Sequence, residues 1–140
     1  MNFFQRLFKK IEAPQKTVSD ETLGTLTFID LKFRGQFWET AHKDIKLLIP
    51  YDGVNKTPTE EVLAVVRTTI QSDWLDSSLS STIDLALKQN PVEHHEKINA
   101  FSINSLSFTN EGKIFIGLCN ENLWFADFQE GKVNKVWFDV

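Results

Sequence analysis

Residues 101–140 constrain this chain most, because four short runs of sheet-forming residues alternate there with three turn signals. The runs are Asn99 to Phe108, Lys113 to Cys119, Leu123 to Gln129 and Val133 to Phe138. Between them stand Thr109-Asn110-Glu111-Gly112, Asn120-Glu121-Asn122 and Glu130-Gly131. Turns this short force neighbouring strands to pair antiparallel, so the segment is a meander. In the first run Phe101 and Ile103 share one parity while Leu106 and Phe108 share the other. One face stays apolar only if an extra residue is inserted, which predicts a bulge or bend near Asn104-Ser105. In the next run Ile114, Ile116 and Leu118 face one way and Phe115, Gly117 and Cys119 the other.

The earlier half supplies the rest of the architecture. Leu23 to Phe33, Gln36 to Ala41 and Ile45 to Ile49 read as three strands, separated by Arg34-Gly35 and His42-Lys43-Asp44. Thr57-Pro58-Thr59-Glu60 matches a capping box with proline at the first helical position, which makes Thr57 the expected cap of a helix running to about Asp73. Its apolar stripe is Val62, Leu63, Val66 and Ile70, with Glu61 and Arg67 expected to face water and Trp74 at its end. Asp76-Ser77-Ser78 offers a second cap, and Leu79, Ile83 and Leu87 predict a second helix to about Gln89, stopped by Asn90-Pro91. Strands, two helices, then strands describe an α+β domain: a mostly antiparallel sheet of three N-terminal strands and a four-stranded C-terminal meander, with the helices on one face.

Residues 1–22 are set apart. Phe3, Phe4, Leu7, Phe8 and Ile11 fall at helical spacing, opposite Gln5, Arg6, Lys9 and Lys10, so a short amphipathic helix is expected over residues 1–12. It is too short and too charged to span a bilayer, and its cations lie within and after the apolar residues, unlike a signal peptide. The expectation is that Phe3, Phe4, Leu7 and Phe8 dock on the domain, on a second copy, or on a membrane surface. Ala13 to Glu21 shows no apolar period and reads as a linker, leaving residues 23–140 as the single domain.

Charge and chemistry narrow the functional classes. The chain carries a formal charge of −4, of which residues 1–16 hold +3 and the remainder −7. An acidic body without a basic stripe argues against nucleic acid as a partner. The single cysteine, Cys119, forms no internal disulfide, which together with the absence of a secretory signal points to the cytoplasm. Glu93, His94, His95 and Glu96 cluster in one loop, but adjacent histidines rarely converge on one ion and no matching ligand set stands elsewhere, so no metal or cofactor is expected. A small hydrolase or transferase built on Cys119 and a histidine brought near by folding is the enzymatic alternative, without a local signature. The chain therefore leans away from catalysis.

What remains is an aromatic surplus. Phe115, Trp124, Phe125, Phe128, Trp137 and Phe138 fall on both parities, more than two helices on one face can cover. Either the sheet bends over them as a second core, or Trp124, Phe125, Asp127, Phe128 and Trp137 form a partner surface rimmed by Glu121, Glu130 and Asp139. LGTLTF, the Phe37-Trp38 strand, TPTEE and LSFTNEGKIFIGLCNENLWFADFQEGKV together resemble a family of small bacterial domains of unknown function, over about residues 23–140. Some similar domains look like immunity proteins encoded beside polymorphic toxins, so the resemblance implies binding a toxin, or another protein partner, without catalysis. Ala126-Asp127 stand where that family's pattern carries Gly-His.

Overall fold

In the computed structural model, which describes residues 14–119 and 123–138, every alternating stretch becomes a strand of one sheet. The strands are β1 Thr17–Asp20, β2 Gly24–Asp30, β3 Gln36–His42, β4 Ile45–Pro50, β5 Ser102–Phe108, β6 Ile114–Cys119, β7 Leu123–Gln129 and β8 Lys132–Phe138. They lie in chain order, each antiparallel to the next except for β4 and β5, which are parallel. A parallel step needs a crossover. Here it is made by α1 Glu60–Thr69, α2 Ser72–Gln89, a 3₁₀ turn at Val92–His94 and the short α3 His95–Asn99. Two four-stranded meanders are thus welded into one eight-stranded sheet, the α+β arrangement expected from the sequence but with one strand more.

The additional strand is β1, inside the stretch read as a linker. Its four residues are too few for an apolar period, and what holds it is pairing with β2 together with one side chain. Asp20 Oδ2 accepts the amides of Thr22 (3.0 Å) and Leu23 (2.9 Å), closing the turn into β2. The same carboxylate receives the Arg67 guanidinium from α1, through Nη2 and through Nε at 3.3 Å. Arg67, expected to face water, therefore ties β1 to the helical layer, and it also reaches Glu60. Hydrogen bonding from Arg67, which outweighs the opposing effect of burial, holds the Asp20 carboxyl at about 2, with the Leu23 and Thr22 amides adding to it. Because the folded pKa lies below the unfolded one, this stabilisation is present above roughly pH 4 and is lost as the pH falls toward 2. Thermal melts of Asp20→Asn should show a lower Tm than the parent at pH 6, with the gap closing between pH 4 and 2; a gap independent of pH contradicts the ion-pair account.

A single row of side chains crosses the whole sheet and defines its covered face. Val18 stands opposite Leu26, Thr40 opposite Leu47, and Leu47, Leu106, Ile116, Ala126 and Val136 follow as consecutive partners. Leu26, Leu47, Leu106, Ile116 and Ala126 are fully buried. Leu63, Val66 and Ile70 of α1 and Leu75 and Ala86 of α2 join them in one core cluster, completed by Ile98 and Phe101. Small buried residues on α2, Ser78 and Thr82, let that helix approach the sheet; the Thr82 hydroxyl is satisfied by donating to the Ser78 carbonyl at 2.7 Å.

Two bulges keep this face apolar. The β5/β6 register shifts between Ile103 and Ser105, where the parity switch in the sequence predicted it. A second shift, between β7 and β8 at Asp127/Phe128, skips Asn134 and brings both Val133 and Val136 onto the core side. The helix boundaries differ from expectation. The cap of α1 is Thr59, whose hydroxyl accepts the Val62 amide at 3.3 Å, so Thr57→Ala should change stability little and Thr59→Ala should cost about 1 kcal/mol in urea unfolding. The chain breaks at Gln71, extended at ψ 139°, so Trp74 lies in the first turn of α2, and Asp76-Ser77-Ser78 lie inside it. Ser77 is tolerated there because its hydroxyl donates to the Trp74 carbonyl at 3.1 Å.

Candidate protein-interaction surface

With the helices on one face, the opposite face of the sheet carries none of the core cluster's helical residues. Two register rows cross it. One runs Ala41, Lys46, Ser105, Gly117, Phe125, Trp137, and the other Glu39, Leu48, Ser107, Phe115, Asp127, Lys135. Their chemistry changes along the sheet. On β2 to β4 the face is a shallow concavity of about 480 Å³ lined by Thr25, Thr27, Ile29, Glu39 and Lys46, none of them aromatic. On β6 to β8 it becomes aromatic.

The aromatic end is built by cross-strand neighbours. Phe125 and Trp137, opposite each other on β7 and β8, stack with centroids 5.9 Å apart and planes at 28°. Phe115 of β6 meets the Trp137 ring edge-on at 6.3 Å and 84°. Lys135 Nζ sits 5.7 Å from the centroid of Trp137, within cation–π range. All three rings remain partly exposed, although each covers its neighbours. Beside them Asp127 pairs in register with Phe115 and Lys135, and its Oδ1 is buried without a hydrogen-bond partner among the described residues. A carboxylate oxygen in that condition is costly unless a donor completes it.

The five residues singled out in the sequence therefore divide. Phe125, Asp127 and Trp137 share the open face, whereas Trp124 and Phe128 turn to the helix-covered side. There Trp124 packs between Phe101 and Phe138, each 5.4 Å away, and Phe128 meets Trp74 edge-on at 4.9 Å. Period-two alternation on β7 explains the split, with buried Ala126 fixing which parity points inward. Phe115 and Lys135 are the site residues sequence reasoning left out. The register between β6 and β7 was the missing information, since it places Phe115 against Asp127. Of the expected acidic rim, Glu130 is exposed in the β7–β8 turn, while Glu121 and Asp139 lie outside the described residues, as do Phe3, Phe4, Leu7 and Phe8.

The other candidates are scattered. His42 is on the helix-covered side of β3 and Cys119 is exposed on β6, three inter-strand spacings away, or about 14 Å. His95 lies at the start of α3, where its Nε2 is 2.9 Å from the Asn90 carbonyl. Among the described residues no group of three or more His, Cys, Asp or Glu side chains is arranged to hold a metal ion, and no helix is long and apolar enough to cross a membrane. In comparisons with known proteins, no family model, curated protein or solved structure matches this chain.

Proposed function

We propose that this chain is a non-catalytic protein-interaction domain that binds a protein partner through the open face of β6 to β8. The observation that carries the reading is the stack of Phe115, Phe125 and Trp137 on a sheet face that no helix of the described residues covers, with the Asp127 Oδ1, unsatisfied among those residues, at its margin. Large rings held rigidly by cross-strand neighbours present apolar area at little entropic cost, the character of interface hot spots. A suitable partner offers an apolar centre and a cationic donor that reaches Asp127. The resemblance to immunity-like domains makes a toxin the partner class that fits this chemistry, in the cytoplasm where Cys119 stays reduced.

Affinity capture from the native host, with the captured protein then purified and titrated, tests the assignment. Trp137→Ala and Asp127→Lys should each weaken binding at least tenfold, while Val92→Ser, which alters a residue 80% exposed in the crossover, should not. Binding unchanged by the two sheet-face substitutions removes this surface from the account.

A further inference from the structure

A second surface lies at one end of the sheet and differs in chemistry from the aromatic face. The turn between β2 and β3, residues 31–35, is closed by the Leu31 amide donating to the Gly35 carbonyl at 3.0 Å and the Arg34 amide donating to the Leu31 carbonyl. Lys32 adopts φ 23° and Gly35 φ 106°, both in the left-handed half of backbone space. This closed turn holds Phe33 fully exposed, at 100%, and Leu31 at 45%. No other large apolar side chain of the described residues is as exposed as Phe33. Cations, Lys32 and Arg34, alternate with the two apolar residues along the tip.

The sheet register collects further features at the same end. Pro50 stands opposite Phe37, so the loop after β4 emerges beside this turn, and it carries Val54 at 66% exposure. Lys16 accepts the Phe28 amide through its carbonyl at 2.9 Å, so the chain enters β1 from this end as well. Asp30, on the tip's own hairpin, and Asp52, in the loop after β4, are the nearby acids in the sequence; the Asp52 carboxylate is held by the amides of Val54 (2.9 Å) and Asn55 (2.8 Å).

We propose that this end of the sheet is a membrane-surface contact: Phe33 and Leu31 enter the headgroup boundary of an anionic bilayer while Lys32 and Arg34 remain at the level of the lipid phosphates and carboxylates. An apolar tip flanked by cations matches that boundary, where rings and aliphatic chains gain by leaving water and cations gain from the negative surface potential. A hydrophobic protein pocket would accept Phe33 but gives no reason for cations on both sides of it. The contact is peripheral and leaves the β6 to β8 face free.

Co-sedimentation of the full chain with phosphatidylserine/phosphatidylcholine vesicles, and with phosphatidylcholine vesicles alone, tests the proposal. Binding should require the anionic lipid, weaken roughly tenfold in Phe33→Ser, and weaken by a similar factor in the doubly substituted Lys32→Glu, Arg34→Glu chain. Circular dichroism of these variants should match the parent, because the tip is outside the core. Three outcomes overturn the proposal: no vesicle binding by the parent chain; binding unchanged by Phe33→Ser but abolished by replacing Phe3, Phe4, Leu7 and Phe8; or equal binding to vesicles without anionic lipid.

Discussion

Trp38→Ala should be the most damaging single substitution in the sheet, costing about 3–5 kcal/mol in urea unfolding. Trp38 is fully buried, stands in register between Phe28 and Ile49, and meets the Phe28 ring edge-on at 5.1 Å and 61°. Phe28 in turn contacts Tyr51 edge-on at 5.1 Å, so the indole anchors a run of rings from β2 to the loop leading into α1. Against the 5–15 kcal/mol typical of a domain's total stability, that loss leaves a large unfolded fraction. Trp38→Phe supplies the control. Trp38 Nε1 is buried without a hydrogen-bond partner among the described residues, so phenylalanine removes an unsatisfied donor while keeping most of the ring volume. A Trp38→Phe cost well under half that of Trp38→Ala is expected, and equal costs would contradict the packing account.

The second large effect is expected at Gly117, where the first bulge imposes a steric demand on its neighbour. A Cβ at position 117 would lie 2.1 Å from Ser105 Oγ and 2.8 Å from Asn104 Oδ1, two side chains at the β5 bulge. The backbone at this glycine does not require a positive φ, so any penalty for alanine is steric rather than conformational. Gly117→Ala should destabilise by about 1–3 kcal/mol, as overpacking does. Removing the hydroxyl in Ser105→Ala should cost little alone and recover much of the loss in the double variant, a coupling that a double-mutant cycle measures directly. Strict additivity would show that Ser105 is not the obstruction.

These two sites also show what the sequence makes legible. The bulge at Asn104 followed from apolar residues changing parity between Ile103 and Leu106. Val133 and Val136 show the same change of parity at the bulge at Asn134, but there the polar pair Asn134-Lys135 interrupts the apolar run and weakens the signal. β1 was not legible, since its four residues depend on Asp20 meeting Arg67, 47 positions away. The cap moved from Thr57 to Thr59 because either threonine fits the local pattern; Thr59 takes the extended φ −69°, ψ 150° of a cap, and buried Pro58 precedes it. For the candidate surface, period-two alternation divided β7 into its two faces, but which face the helices cover depends on the crossover from β4 to β5. That choice puts Trp124 and Phe128 with the helices and leaves Phe125 and Trp137 outside.

The most direct measurement is side-chain oxidation by hydroxyl radicals, read by mass spectrometry, on the chain alone and saturated with its captured partner. Oxidation of Phe115, Phe125 and Trp137 should fall several-fold in the complex, while Val65 on α1 and Val92 in the crossover, 41% and 80% exposed, keep their rates. Unchanged oxidation at Phe125 and Trp137, with protection at Val65 or Val92 instead, would place the partner on the helical side and contradict the assignment of the open sheet face.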